Sequence, residues 1–486
     1  MPIDFAGAAA GSPEWWLNYL MSRFDMPSQP DWADWRYQAA RPRMTRRERL
    51  NNLWAYFIGI PPLPQVAEGY EDIFRDEMRK ARSNYAPMAV NAMLDRMALQ
   101  GVATAEDSDV GGDDVAAEIA DISNLIATLK DLFTYAFVMG ESYALVVPPT
   151  GSSSVQLPVI RAVDPRFAVG EPLPENPLAL RALLVLSWDS VFQQQQATLF
   201  LPGKKYTAIA DSALSWAWVD DQGEDVVGLD DLGGIPGVRL ENPNGLGEFE
   251  PHLDLLDRIN ATTLQRMVLT IWQAFRQRAV IGDLEGDEGD DDEPEEDIDW
   301  NAVLSSDPGS VWRMPSGVTF WESDQADFTP IITAKRDDVK EFAAVTSTPL
   351  HLITPDAANG SAEGASLMRE GLNHKVMDRR ARFTPALKLL YRIAFSMAQQ
   401  PQRGSVIRLL WGSLESNSLA EKGSATAQAR GVLSLERILT DIWGLSPEDA
   451  QQNIQQLTAD KLTFGIPIEP VGAAGDTTTI NNGSAA

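Results

Sequence analysis

A long run of helical periodicity at residues 251–281 constrains the fold of this chain more than any other feature. Apolar residues return every three or four positions along it, as at Leu253, Leu256 and Ile259. A helix of this length spans about 45 Å at roughly 1.5 Å per residue, which is long for a globular domain. A second, shorter helical run follows at residues 331–347. The two helices can lie side by side if a small module joins them at one end.

The length and composition of the chain exclude several classes of protein. The 486 residues exceed what one hydrophobic core usually supports, so we expect several modules. The chain contains no cysteine, which excludes disulfides, thiolate zinc sites and cysteine nucleophiles. No apolar run is long enough to cross a bilayer, and the N-terminus lacks the basic start of a secretory signal.

The chain is strongly acidic. It carries 69 Asp and Glu against 40 Lys and Arg, a net charge of −29, and such a surface repels phosphate on average. Residues 283–299 hold twelve acidic side chains and no basic one, a composition that favours disorder. A calcium-binding loop is the other interpretation of this run, but the spacing of ligands and the central glycine do not fit. The charge alone argues against tight nucleic-acid binding.

Five arginines cluster where a helix is predicted to begin near Thr45. This cluster has two interpretations, a contact with nucleic acid or a face that is solvated or forms salt bridges between subunits, and the acidity of the chain favours the second. The five residues are Arg41, Arg43, Arg46, Arg47 and Arg49.

The pattern of the remaining segments predicts an α+β fold that is mainly helical. Short β-rich runs separated by turn residues lie between residues 142 and 220 and predict an antiparallel meander. Helices are predicted on both sides of it, including helices at 13–24, 84–99 and 115–139, the last of which ends at Gly140. A capped helix start is predicted at Ser446, and residues 234–251 are predicted to form a Pro/Gly-rich connector. A long basic helix begins near Glu363, and Pro385 in its middle predicts a kink. A strand near 405–413 and further helices follow.

Nothing in the sequence indicates a catalytic centre. The chain has three histidines, His252, His351 and His374, and no pattern places two of them together. Phosphate-binding loops, dinucleotide fingerprints, zinc-protease motifs and nucleophile elbows are missing from the sequence. We therefore predict a structural protein that is not an enzyme and has no cofactor, no catalytic residue and no metal site. A metal-dependent hydrolase built from scattered carboxylates is a weaker alternative.

The order of pieces from residue 251 onward, together with several stretches of sequence, resembles the portal protein family of tailed bacteriophages of siphovirus type. The resemblance covers roughly residues 45–465. Its stretches are LNNLWAYFIGIPPLP, MAVNAMLDRMALQGV, GIPGVRLENPNG, SVWRMPSGVTFWESDQADFTPI, TSTPLHLITPDAANGSAEGASLMREGLNHKV and LLWGSLESNSLAEKGSATAQARGVLS.

The resemblance implies a portal fold with wing, stem, clip and crown regions and a long kinked helix behind a tunnel loop. The implied regions are a wing of helices and then antiparallel strands at 1–250, a first stem helix at 251–281, a clip with the acidic insertion at 282–330, a second stem helix at 331–347, the tunnel loop at 348–364, the long kinked helix and a return strand of the wing at 365–415, crown helices at 416–466 and a flexible tail at 467–486.

The same resemblance implies a ring, usually of twelve subunits, at one vertex of the capsid in the virion. Double-stranded DNA would pass through the ring non-specifically during packaging and ejection. The implied protein partners are the terminase large subunit, head-completion or adaptor proteins, and the major capsid and scaffolding proteins. Assembly would occur in the cytoplasm of the host bacterium, with no membrane involved. The alternative is an acidic interaction scaffold or adaptor that forms no ring.

Two sets of side chains are implied to face the DNA channel. In the tunnel loop, glycines permit unusual backbone conformations and neutral polar groups offer hydrogen bonds. The residues of this set are His351, Thr354, Asn359, Gly360, Ser361 and Glu363. A second, basic set either guides DNA or forms salt bridges between subunits, and comprises Lys335, Arg336, Lys340, Lys375, Arg379 and Arg380, with Arg382 beside them.

Overall fold

The computed structural model describes residues 3–26, 44–66, 69, 71–107, 112–149, 157–210, 215–274, 278–281, 319–322, 327–353, 362–414 and 419–464. These residues mix helices with antiparallel sheets, which confirms the predicted α+β class. None of the helices in the described ranges is long and apolar enough to cross a membrane.

The described part of the chain is rich in helices. They are α1 (Pro13–Asp25), α2 (Arg46–Phe57), α3 (Arg75–Lys80), α4 (Ala86–Leu94), α5 (Asp114–Ile122), α6 (Leu125–Met139), α7 (Leu253–Ala274), α8 (Thr329–Val345), α9 (Leu350–Ile353), α10 (Ala362–Met397), α11 (Leu419–Ala429), α12 (Leu435–Arg437) and α13 (Pro447–Phe464).

The strands are short, apart from one of 14 residues. They are β1 (Leu99–Thr104), β2 (Glu141–Val147), β3 (Val159–Val163), β4 (Ala168–Leu173), β5 (Asn176–Asp189), β6 (Gln194–Leu201), β7 (Lys204–Ala210), β8 (Trp216–Trp218), β9 (Glu224–Asp225), β10 (Gly237–Glu241), β11 (Arg278–Ile281), β12 (Thr319–Glu322) and β13 (Ile407–Trp411).

The chain divides into two compact units. The larger unit comprises Met1–Pro62, Asn84–Leu256 and Lys340–Ala486, and the smaller unit comprises Leu63–Ser83 and Asp257–Val339.

The strands predicted as one meander form two sheets in the larger unit. β4 to β8 pair in sequence order, with β9 on β7, whereas β2 lies between β3 and β10 in a separate sheet. All the pairings are antiparallel. Strand β5 is buried on both faces, because Leu183 and Leu184 point to opposite sides and neither is exposed. Its two faces therefore belong to different hydrophobic clusters.

Helix α1 covers one face of the larger sheet. Its side chains Leu17, Leu20 and Phe24 are buried and pack in one cluster with Leu184 and Leu199 of the sheet. The predicted helix at residues 13–24 is confirmed, and Ser12 caps it by accepting a hydrogen bond from the Trp15 amide at 3.3 Å.

Helix α2 begins where the sequence predicted. Thr45 and Glu48 form a capping box, in which each side chain accepts a hydrogen bond from the backbone amide of the other residue. Ser446 likewise caps α13, because its hydroxyl accepts a hydrogen bond from the Asp449 amide at 3.1 Å. These starts could be predicted because caps depend on residues only three positions apart.

Three predicted helices have different bounds in the structure. The helix predicted at 115–139 is two helices, because Asn124 adopts a left-handed conformation (φ 44°) that ends the first one. The helix predicted at 84–99 ends at Leu94, and β1 follows it to pair with β13. The long helix predicted at 251–281 ends at Ala274, and Arg278–Ile281 is a strand rich in apolar residues that pairs with β12.

Helix α10 passes through the core of the larger unit. Its Phe383 ring stacks on those of Phe133 and Phe137 from α6, with centroids 5.8 and 5.9 Å apart. The helix continues through Pro385, as predicted for a long helix, and the kink at this residue stays a prediction. The strand predicted near 405–413 is confirmed as β13.

A buried ion network lies beneath the start of α2. The Glu141 carboxylate accepts hydrogen bonds from Arg46 Nη2 at 2.6 Å and Nε at 3.0 Å, and it pairs with Arg239 Nη2 at 2.9 Å. Arg46 Nη2 also donates to the carbonyls of Pro165 and Ala168. Burial alone would raise the pKa of Glu141, but the two guanidinium groups outweigh it and lower that pKa to about 2.

The arginine cluster therefore forms ion pairs within one chain. Arg46 is buried, Arg47 pairs with Asp25 at the surface, and Arg49 pairs with Glu250. For these three residues the ion pairs lie within the subunit rather than between subunits, and Arg46 and Arg49 are not on a solvated face. Arg41 and Arg43 lie outside the described residues.

The pKa of Glu141 predicts how stability changes with pH. Its folded pKa of about 2 lies below the ordinary value of 4.5, so its contribution is complete above pH 4.5 and is lost as pH falls towards 2. The lost contribution amounts to about 3 kcal/mol. We expect the urea midpoint of the wild-type protein to fall steeply over this window, and a Glu141→Gln variant to show a shallower dependence. Equal slopes for the two proteins would contradict this assignment.

Helices α7 and α8 lie side by side within the smaller unit. Arg258 Nη2 on α7 and Asp338 Oδ1 on α8 form an ion pair at 3.0 Å. The pKa of Lys335 on α8 is lowered, first by the burial of Lys335 and second by the positive charge of Arg266, which lies further along α7. From the first pair to the second, the residue number rises on α7 (258 to 266) and falls on α8 (338 to 335). The two helices therefore run antiparallel.

Residues 63–83 complete the smaller unit. Met78 and Ala81 pack against Leu264 of α7 in a small apolar cluster. The Ser83 amide donates to Asn260 Oδ1 at 2.7 Å, and Lys335 Nζ donates to the Ser83 hydroxyl at 3.3 Å. This short segment therefore contacts both helices.

Candidate channel segment

The structure describes only part of the predicted tunnel loop. Its first residues form a short helix, α9, which carries an exposed His351, and Glu363 lies in the first turn of α10 rather than in a loop. Thr354, Asn359, Gly360 and Ser361 lie outside the described residues. The short helix was not predicted, because Pro349 indicated an extended segment and four residues are too few for a periodic signal.

Helix α8 ends in a tightly hydrogen-bonded turn just before this segment. The Thr348 amide donates to the Ala343 carbonyl at 2.8 Å, and the Ser347 amide donates to the Ala344 carbonyl at 3.1 Å. These two bonds form a Schellman motif, with Ser347 in the left-handed conformation (φ 55°). The side chains of Thr346 and Thr348 are buried and hydrogen-bonded to each other at 2.9 Å. The near end of the predicted tunnel loop is therefore fixed.

The left-handed Ser347 offers a stabilising substitution. Because glycine adopts this conformation without strain, Ser347→Gly should raise the free energy of unfolding by roughly 0.5–1 kcal/mol, as measured by urea denaturation. Ser405→Gly is the matched control, since Ser405 is exposed with an ordinary φ of −64° and should lose stability. A loss of stability in both variants would mean that the Ser347 side chain stabilises the turn.

Glu248 contacts the first half of α10, and through Lys375 it is linked to the end of α8 in the larger unit. Its Oε2 pairs with Lys375 Nζ at 2.8 Å, and its Oε1 accepts from Arg379 Nε at 2.7 Å and from Asn242 Nδ2 at 3.0 Å. Lys375 Nζ also donates to the Thr346 carbonyl at 3.0 Å. Burial alone would raise the pKa of Glu248, but Lys375 and Arg379 outweigh it and lower that pKa. We call Glu248, Lys375, Arg379 and Thr346 the Glu248 cluster.

The segment that carries Glu248 is itself rigidly held. Arg49 grips Glu250 through two hydrogen bonds of 2.6 Å each. The Glu248 amide donates to the Phe137 carbonyl at 2.7 Å. At Gly247, an added Cβ would lie 2.2 Å from the Val138 carbonyl oxygen, so the two backbones are in close contact. The sequence predicted a Pro/Gly-rich connector here, and the structure shows that its glycines serve close packing.

Lys375, Arg379 and Arg380 each contact a partner within the chain. Lys375 and Arg379 belong to the Glu248 cluster. Arg380 donates to the Arg96 carbonyl, and its guanidinium lies 5.2 Å from the ring centroid of Trp411. Burial lowers the pKa of Arg380 to about 10. The two roles expected for these residues, DNA guiding and pairing between subunits, stay predictions beside these contacts within the chain.

The other predicted basic residues are more accessible. Lys335 is half-buried beside Ser83, whereas Arg336, Lys340 and Arg382 are exposed. A role in guiding DNA stays a prediction for these residues. It fits Arg336 and Arg382 better than the cations that the Glu248 cluster already uses.

The three histidines have different surroundings in the structure. His252 is partly buried near Lys375, and burial together with that positive charge lowers its pKa. His374 is exposed near Glu370, at 4.0 Å. Among the described residues, no group of three or more histidine and acidic side chains is placed to hold a metal ion.

Sequence reasoning missed Glu248 itself. In so acidic a chain, one glutamate in a connector carries no signal. The available signal was on its partners, because Lys375 and Arg379 are four residues apart and share one face of a helix. Two cations on the same helix face require an anion when that face is buried.

The comparison with known families identifies the chain. A family model described as phage portal protein, SPP1 Gp6-like, matches residues 43–461. This match covers most of the 486 residues. The class defined by the match is that of the phage portal, a structural component of the capsid. The chain belongs to the SPP1 Gp6-like family of phage portal proteins.

Solved structures give weaker likenesses, and a comparison with curated proteins gave no match. The neck of a native GTA particle computed with C12 symmetry is 14% identical, with a TM-score of 0.39 over 68% of this chain and 91% of that chain. The neck of an empty GTA particle computed with C6 symmetry is 15% identical, with a TM-score of 0.45 over 85% and 95%. The virion of a native gene transfer agent is 14% identical, with a TM-score of 0.42 over 83% and 96%.

Proposed function

We propose that copies of this chain form a closed ring, usually of twelve, at one vertex of a phage capsid, and that double-stranded DNA passes along the axis of the ring. The observation that carries the proposal is the portal family match over residues 43–461. A closed ring requires each subunit to present two different surfaces to its neighbours. The ring is the docking site for the terminase large subunit and later for head-completion proteins, and it is surrounded by capsid and scaffolding proteins.

The arrangement of α7 and α8 supports the proposed stem. The two helices are antiparallel and are joined by the ion pair between Arg258 and Asp338. This is expected if α7 leads to the clip and α8 leads back from it. The chain between them begins and ends in β11 and β12, whose Arg278 and Glu322 are aligned across the strand pair. We assign this excursion to the clip, the loop after α8 to the tunnel and the helices α11 to α13 to the crown.

The charge of the chain supports passage of DNA rather than binding of DNA. Each phosphate that a cation neutralises releases counterions and strengthens binding, so a wall rich in lysine and arginine would hold the duplex. A subunit with a net charge of −29 repels DNA on average and so does not hold it, which allows sliding. The ring itself performs no hydrolysis in this proposal, and the energy for DNA movement comes from the terminase.

Charge reversal tests whether exposed cations guide the duplex. We expect Arg336→Glu combined with Arg382→Glu to leave the ring intact and to reduce the DNA retained per particle several-fold. Arg408→Glu, an exposed arginine on β13, is the matched control and should have no effect. If the double variant packages as much DNA as the wild type, the proposed guiding role of these arginines is wrong, and the proposal of a ring is unaffected.

The mass of the purified protein tests the ring itself. Twelve copies of a 53.3 kDa chain weigh about 640 kDa, and native mass spectrometry separates this assembly from a monomer or a dimer. The alternative function, an acidic scaffold without a ring, predicts the smaller species. A protein that stays monomeric or dimeric across concentrations in the micromolar range would contradict the proposal.

A further inference from the structure

We propose that Glu248 is a positioning residue that sets the rotation and the axial position of α10 against the end of α8. The inference deepens the proposed function and rests on it, because α10 directly follows the predicted tunnel loop. Its basis is the Glu248 cluster, whose members all lie in the larger unit.

The Glu248 carboxylate has no freedom to change partners. Its side chain is 3% exposed, and both oxygens are occupied, by Lys375 on one side and by Arg379 and Asn242 on the other. Removing one partner of a buried ion pair leaves an uncompensated charge, which costs far more than losing a surface pair. The backbone of Glu248 is fixed as well, through the Phe137 carbonyl.

The spacing of the two cations makes this contact specific for one rotation and one axial position of α10. Lys375 and Arg379 lie one helical turn apart, on the same face of α10. A rotation of α10 by one residue, about 100°, would turn both cations away from the carboxylate. A slide by one turn, about 5.4 Å, would leave one of them buried without its partner. Glu248 can therefore pair with both Lys375 and Arg379 in only one position of α10.

Lys375 extends the contact to α8. Its ammonium bridges the Glu248 carboxylate and the carbonyl of Thr346, the residue that directly follows α8. A cation at a helix C-terminus also interacts favourably with the helix dipole. One buried cation therefore joins the segment before α7, the end of α8 and the first half of α10.

Hydrogen exchange of the full-length protein tests this role against a general loss of stability. In Glu248→Gln, we expect amides of residues 369–380 and 343–348 to exchange roughly a hundredfold faster than in the wild type. Glu250→Gln is the matched control, because it breaks a buried pair with Arg49 on the same segment and leaves the Glu248 cluster intact. It should accelerate exchange near α2 and leave the two test segments protected.

A double variant separates positioning from stability. Glu248→Gln with Lys375→Met removes one of the two stranded cations, and Arg379 keeps its pair with Asp378. The thermal midpoint should therefore recover in part while the two test segments still exchange quickly. Unchanged exchange in Glu248→Gln, an equal increase throughout the protein, or protection restored together with stability would each overturn the proposal. Ring formation is scored on the same wild-type sample by electron microscopy. A wild-type protein without rings would count against the proposed function, and the exchange pattern would still decide the role of Glu248.

Discussion

Replacing Glu141 with glutamine should lower the free energy of unfolding by about 3–5 kcal/mol at neutral pH. The substitution keeps the shape of the side chain but leaves Arg46 and Arg239 buried beside a neutral amide. A buried pair that loses one partner has this cost because the remaining charge is desolvated without compensation. Urea denaturation of the purified variant measures the loss, and low recovery of soluble protein is the expected accompanying result.

The matched control is the surface pair of the neighbouring arginine. Arg47 and Asp25 are 48% and 66% exposed and 3.0 Å apart, so Arg47→Ala should cost no more than about 1 kcal/mol. A similar loss in both variants would mean that the burial of the Glu141 network does not determine its strength.

Gly140→Ala should also prevent normal folding of the larger unit. Gly140 ends α6 with a φ of +86°, and a Cβ placed there would lie 2.2 Å from the Gly245 carbonyl oxygen. That oxygen belongs to the segment held by Arg49, so it cannot move aside without breaking the 2.7 Å hydrogen bond between them. We expect a loss of more than about 4 kcal/mol, which combines backbone strain with overpacking.

Gly11→Ala separates strain from overpacking. Gly11 has a similar φ of +89°, but an added Cβ would meet no atom within 4 Å. Its substitution should cost only the left-handed strain, about 1 kcal/mol. Thermal unfolding of the two variants provides the comparison, and equal midpoints would show that the close approach to Gly245 does not matter.

The features predicted from sequence are those that depend on nearby residues. The start of α2 follows from Thr45 and Glu48, three positions apart, and the end of α6 follows from Gly140. The break at Asn124 could not be predicted, because Ile119, Ile122 and Leu125 keep a helical spacing across it. In the structure, Ile119 is fully buried and Ile122 is 39% exposed, so the apolar pattern does not follow one face.

Long-range pairings were harder to predict. Strand β1 pairs with β13, about 300 residues later. A short segment with no strong preference for strand or helix becomes a strand when another strand is available to pair with it. The same holds for β11 at Ile281, which was predicted as the end of a helix. In the candidate site, basic residues on α10 were noticed, but their partner Glu248 lies more than a hundred residues away. No local pattern connects the two.

The position of His351 in the assembled ring tests the central claim most directly. The chain has no cysteine, so His351→Cys introduces a single thiol that a small gold cluster can label. Val191→Cys, at an 81% exposed residue between β5 and β6, provides a matched control on the predicted wing. Electron microscopy of end-on rings should then show gold around the central hole for the His351 variant and at the periphery for the Val191 variant. Gold on the outer wall in the His351 variant would contradict the claim that the segment after α8 lines the DNA channel.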